Sequence, residues 1–172
     1  MSLFDVLAQY TKTPPSATSG TSEAHYTEIA PQVSPDMLSK GMAETFRSDQ
    51  TPPFGDMVGQ LFGQSSPQER AGLLSQLLQS LGPAAVSALG AGVLGRVLGQ
   101  NNLTPSGQIP TITPAQASQV SPEDVREIAV QAEQNQPGIV NNVSDFFAQH
   151  PDLIKGIGAM GLAVLLGKMA RR

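Results

Sequence analysis

Residues 66–83 read SPQERAGLLSQLLQSLGP, a helix with both of its ends written out. Ser66 precedes Pro67, which fits the first helical position, and Glu69 falls where its side chain can reach back to the Ser66 amide. Leu73, Leu74, Leu77, Leu78 and Leu81 then share one helical face, and Gly82-Pro83 ends the run. The same hydroxyl-Pro start recurs at Ser34-Pro35, at Thr113-Pro114 with Gln116, and at Ser121-Pro122 with Asp124. No alternating strand pattern competes with it.

The spacing predicts helices over 35–47, 54–62, 67–81, 83–98, 122–134, 139–149 and 152–170, after a short docking helix carrying Leu3, Phe4, Leu7 and Tyr10. The fold class is therefore all-α, an orthogonal or bundled array of about six to seven helices. Four segments follow from composition: 1–32, a short helix and a flexible linker; 33–100, a first helical repeat; 101–119, a linker; and 120–172, a second repeat. Within them 11–22 and 101–117, rich in Pro and poor in apolar anchors, are expected to be irregular.

The two halves resemble each other. Val33-Ser34-Pro35-Asp36 parallels Val120-Ser121-Pro122-Glu123, and Pro52, Phe54, Val58, Leu61, Phe62 and Gln64 parallel Pro137, Ile139, Val143, Phe146, Phe147 and Gln149. Each half reads as a capped helix, a Pro-led aromatic helix and an apolar helical segment. An internal duplication and a chance likeness of amphipathic helices both account for these matches.

In the apolar segments small residues recur every fourth position: Ala84, Ala88 and Gly92; Ser87, Ala91, Gly95 and Gly99; and Ala159, Ala163 and Gly167. Such stripes let a second helix approach closely, which compensates for the roughly 1 kcal/mol that each helical glycine costs against alanine. The expected helix-packing interface is Ala91, Gly95 and Gly99 with Ala159, Ala163 and Gly167, and the expected partner is a second copy of the chain or another helical protein. Length leaves a competing reading, in which 83–99 and 153–170 insert into a bilayer as a hairpin, since both are close to the minimum of about 17 residues for a span.

Charge is scarce and unevenly placed. The chain carries 14% charged residues and a net charge of −4, yet 71–120 hold one charge, Arg96, while 153–172 hold Lys155, Lys168, Arg171, Arg172 and no acid. Those four cations are the candidate contacts for an anionic membrane surface, or they simply complement a helix C-terminus. No basic, aromatic-bearing face speaks for nucleic acid. The expected location is the cytoplasm or the inner membrane surface, because the first residues lack the charged start and apolar run of a secretory signal.

The raw material for catalysis is thin. Cys is absent, which removes thiolate chemistry and disulfides, and the two His, His25 and His150, lie far apart. Glu123, Asp124 and Glu127 crowd a helix start, where carboxylates suit the dipole better than they make a metal site. GxSxG, GxxxxGK[ST] and HExxH are missing. No catalytic, cofactor or metal-ligating residue is assigned.

The run Gly72-Leu73-Leu74-Ser75-Gln76-Leu77-Leu78-Gln79-Ser80-Leu81-Gly82, its glycine-rich continuation to Leu98-Gly99, and Val120-Ser121-Pro122-Glu123-Asp124-Val125 resemble uncharacterised small bacterial proteins of the YidB-like group. That resemblance implies an all-helical bacterial protein with no assigned activity. The chain departs from the pattern in its N-terminal extension and its apolar C-terminal helix. The function expected from the whole is non-enzymatic: self-association or scaffolding.

Overall fold

The structure, a computed structural model, describes residues 2–13, 15–90, 92, 95 and 111–171. The described residues are helical with no strand, and they run α1 (Leu3–Lys12), α2 (Pro15–Ile29), α3 (Pro35–Phe46), α4 (Phe54–Gln64), α5 (Pro67–Gly90), α6 (Pro114–Ala117), α7 (Pro122–Asn135), α8 (Ile139–Gln149), α9 (Pro151–Ile154) and α10 (Gly158–Ala170). The all-α expectation is met. Each hydroxyl-Pro start is a working cap: the amides of Met37, Glu69, Gln116 and Asp124 donate to Ser34, Ser66, Thr113 and Ser121. At Ser66 and Thr113 the bond is reciprocal, with Glu69 and Gln116 accepting from the cap amides at 2.8 and 3.0 Å.

One expectation is corrected. Residues 11–22 do not form a flexible linker: α1 ends at Lys12 and α2 starts at Pro15. Pro15 sits in the first turn, where its missing N–H costs nothing, and Ser22, Tyr26 and Ile29 follow at helical spacing with all three buried. Much of α2 is Ser, Thr and Gly, so the few buried residues on one face, not overall apolarity, make it a helix. The 101–117 linker falls largely outside the described residues; its end carries α6.

The chain divides into two compact units, Met1–Pro53 with Ser144–Arg172, and Phe54–Val143, limits that differ from the four segments drawn from composition. In the first unit α10 packs against α2, α3 and α1. Leu162, Val164, Leu165 and Leu166 of α10 are nearly or fully buried with Met42 and Tyr26. At about 1.5–3 kcal/mol for each buried side chain of this size, four of them outweigh the roughly 1 kcal/mol that Gly161 and Gly167 each cost the helix. In the second unit α7 lies on α4 and α5, over a core of Phe54, Met57, Leu61, Leu73, Leu77 and Ile128.

The units therefore exchange helices between the two halves of the sequence. The opening helix of the first half, α3, is grouped with α10 and the end of α8 from the second half; the opening helix of the second half, α7, is grouped with α4 and α5 from the first. The paired segments share local features. Both α3 and α7 start on a serine cap followed by proline, and α4 and α8 are each 11 residues long. Each half also breaks its last helical stretch at a glycine in nearly the same conformation, Gly82 at φ 74°, ψ 166° and Gly158 at φ 80°, ψ 168°, a region essentially closed to other residues.

Glycines set how closely the exchanged helices approach. A Cβ on Gly59 would stand 2.7 Å from the Pro122 carbonyl oxygen, and one on Gly55 2.5 Å from Val130 Cγ2. On α3, a Cβ on Gly41 would meet Met169 Cγ at 2.8 Å and Leu165 Cδ1 at 2.9 Å. Gly20, exposed on α2, has nothing within 4 Å of such an atom. Gly59→Ala should therefore destabilise the protein by about 1–3 kcal/mol, because backbone must move, whereas Gly20→Ala should stabilise it by up to about 1 kcal/mol through helix propensity. Thermal melts of the two variants check this: opposite shifts are expected, and equal shifts would contradict the close approach of α4 and α7.

Candidate functional site

The polar side chains that could do chemistry are drawn into the packing of the first unit. Tyr10 Oη and His25 Nδ1 lie 2.9 Å apart in a buried hydrogen bond, with the rings edge to face at 5.7 Å. Tyr26 Oη donates to the Pro151 carbonyl at 2.9 Å, and Ser22 Oγ donates to the Ala159 carbonyl at 2.7 Å, so α2 is tied to both sides of the Gly158 break. Ser39 Oγ donates to Asp145 Oδ1, joining α3 to α8, and Phe46 meets Phe147 between the same two helices. The His150 ring packs at a tilt against Phe146, with centroids 4.9 Å apart. Burial raises the hydroxyl pKa of Tyr26, and the Asp152 carboxylate adds to the shift; burial also raises that of Tyr10, against a smaller lowering from its hydrogen bond with Thr21.

The expected interface residues fall in several places. Ala163 is fully buried inside the first unit, and Gly167 is half-buried, with the Tyr10 carbonyl 3.7 Å from where its Cβ would stand. Ala159 is exposed, and Gly95 is partly so. Ala91 and Gly99 lie outside the described residues. The sequence reading overlooked Gly55, Gly59 and Gly63 on α4, a four-residue stripe of the same kind that lets α7 approach closely in the second unit. The spacing carries the signal, but Phe54, Phe62 and Leu61 beside it mark α4 as an aromatic core helix.

Of the expected surface cations, Lys155 pairs with Asp152 at 3.8 Å and borders a pocket of about 350 Å³ with Tyr26, Pro31 and Pro151. Lys168 and Arg171 are elsewhere, and Arg172 lies outside the described residues. Lys168 and Arg171 line a separate pocket of about 250 Å³ where the last turns of α1 and α10 come together, which adds Lys12, Thr11, Thr13 and Gln50. In the second unit Glu123 and Glu127 flank a shallow groove, and Arg126 between them is paired with Asp56 on α4. Among the described residues no group of three or more His, Asp or Glu is placed to hold a metal ion.

The segment Pro151–Ala170 is long and apolar enough to cross a membrane by length and composition, and half of its most apolar window is buried in the protein. Its helix is interrupted, however, by a 3-10 turn at Lys155–Ile157 and by Gly158. The 13 residues of α10 extend about 20 Å at 1.5 Å each, against a hydrocarbon core of about 30 Å.

No protein family, curated protein or solved structure matches the chain.

The raised Tyr26 and Tyr10 hydroxyls make stability depend on alkaline pH. Both hold the proton more tightly folded than unfolded, so their contribution is fully present below the ordinary tyrosine value of 10.0 and is lost as pH rises above it. Denaturant titrations from pH 8 to about 11 should show stability falling above pH 10, with a shallower fall in Tyr26→Phe. The same slope in Tyr26→Phe as in the parent would contradict the burial of this hydroxyl.

Proposed function

We propose that the chain is a non-enzymatic, self-associating scaffold of helical units. The observation that carries this reading is the exchange of helices between halves: α3 is completed by α8 and α10, and α7 by α4 and α5. A chain whose first half binds its own second half can make the same pairing with the second half of another copy, which is the geometry of domain swapping. No new surface is required. Intramolecular and intermolecular pairing use the same glycine-seated contacts, and concentration decides between them.

The fate of the polar groups supports a structural role. His25, Tyr10, Tyr26, Ser22 and Ser39 all bond to other parts of the first unit. The competing reading, a hairpin of 83–99 and 153–170 in a bilayer, draws on the apolarity of Pro151–Ala170. The scaffold reading is favoured by the break at Gly158 and by the burial of Leu162, Ala163, Val164, Leu165 and Leu166 among neighbouring helices.

The absence of Cys makes a direct test possible. In Ser39→Cys with Asp145→Cys, α3 and α8 carry the only thiols, at positions now joined by a hydrogen bond. Oxidation of a concentrated sample should give, beside the internally linked chain, a covalent dimer at twice the 18.0 kDa chain mass, and dilution before oxidation should suppress it. Internally linked monomer alone at every concentration would contradict self-association by exchange.

A further inference from the structure

We propose that the pocket between the C-terminal turns of α1 and α10 binds a phosphate group, as a small phosphate ester or as the headgroup of an anionic phospholipid. Three cations meet there from opposite ends of the sequence: Lys12 of α1, with Lys168 and Arg171 at the end of α10. No carboxylate among the described residues lines the pocket. Among the described residues none of the three side chains has an ion pair or a hydrogen bond, whereas Lys40, Arg126 and Lys155 are each matched by an aspartate. In a chain of net charge −4, three cations concentrated around one cavity are a local inversion of the overall sign.

Helix dipoles account for part of this arrangement and not all of it. The pocket lies at two helix C-termini, each equivalent to about half a negative charge, so together they offset roughly one of the three positive charges. About two remain, which suits a phosphate monoester dianion or a diester with a second anionic group. Arg171 brings a planar fork for two parallel bonds to phosphate oxygens, and the lysines act as point charges. Thr13 and Gln50, which carry uncharged donors, also line the pocket. Val164 and Tyr10, 2% and 3% exposed, form one wall, and this buried side lowers the local dielectric and strengthens the attraction.

Size narrows the ligand. At about 250 Å³ the cavity is smaller than the roughly 300–1,000 Å³ of sites for drug-sized molecules, so a phosphate with a small substituent fits better than a nucleotide. This site stands apart from the self-association proposed above, because it uses neither the α3–α10 nor the α4–α7 contact.

The experiment is an amide NMR titration of the full chain with inorganic phosphate and with glycerol phosphate, alongside sedimentation with vesicles of phosphatidylcholine alone or mixed with phosphatidylglycerol. Lys168→Gln with Arg171→Gln is the test variant. Lys40→Gln, a cation removed elsewhere, is the control. Saturable shifts at residues 11–13 and 164–171, weakened about tenfold or more in the test variant and unchanged in the control, are expected for a soluble phosphate ester. Vesicle binding that needs phosphatidylglycerol and is lost in the test variant, without shifts from the soluble anions, assigns the site to a lipid headgroup. The proposal is overturned if neither probe binds, or if the control loses binding as much as the test variant while both keep the parent's melting temperature.

Discussion

Everything in this fold depends on a few helices coming close enough for backbone to touch side chain. Gly41 lets Leu165 and Met169 reach the α3 backbone, and Gly55 and Gly59 let Val130 and Pro122 reach α4. Those contacts join the first half of the sequence to the second. They matter because the chain is built from poor helix material: 17 glycines and 14 prolines in 172 residues leave little intrinsic helicity. Closeness supplies what propensity does not. The dispersion contacts and apolar burial gained at the glycine seats are available only when the correct helix lies opposite, so they specify the partner as well as stabilise it.

Local chemistry explains which parts of this arrangement were readable from sequence. Helix starts were legible because the capping bond is made within three residues: Ser34, Ser66, Thr113 and Ser121 needed no tertiary information. The break at Gly82 was legible because Pro83 follows it, whereas the equivalent break at Gly158 was not, since Ala159 gives no such warning. α2 was missed because its inward face is marked by Ser22, Tyr26 and Ile29 amid Ser, Thr and Gly, and only its packing on α9, α10 and α1 gives that face a purpose. Exchange between halves was invisible for a similar reason. Periodicity says that a helix has an apolar face, never which helix covers it.

The candidate site divides along the same line. Lys168 and Arg171 stood out in sequence as part of a basic end, but Lys12 joins them only through the packing of α1 on α10, and Gln50 comes from the turn after α3. Lys155, close to them in sequence, is turned to Asp152 and a different pocket. The small-residue stripe was recognised as a packing device, yet the closest approach of the second unit uses Gly55 and Gly59 on α4, where the stripe runs through an aromatic helix.

Central to the account is the pairing of α3 with α10 and not with the leucine face of its own half. Nuclear Overhauser cross-peaks from the Gly41 Hα protons decide it in one spectrum. The exchanged arrangement predicts cross-peaks to the Leu165 and Met169 side chains, which stand closest to Gly41. Cross-peaks instead to Leu73, Leu74, Leu77 or Leu78 would place α3 on α5 and contradict the exchange.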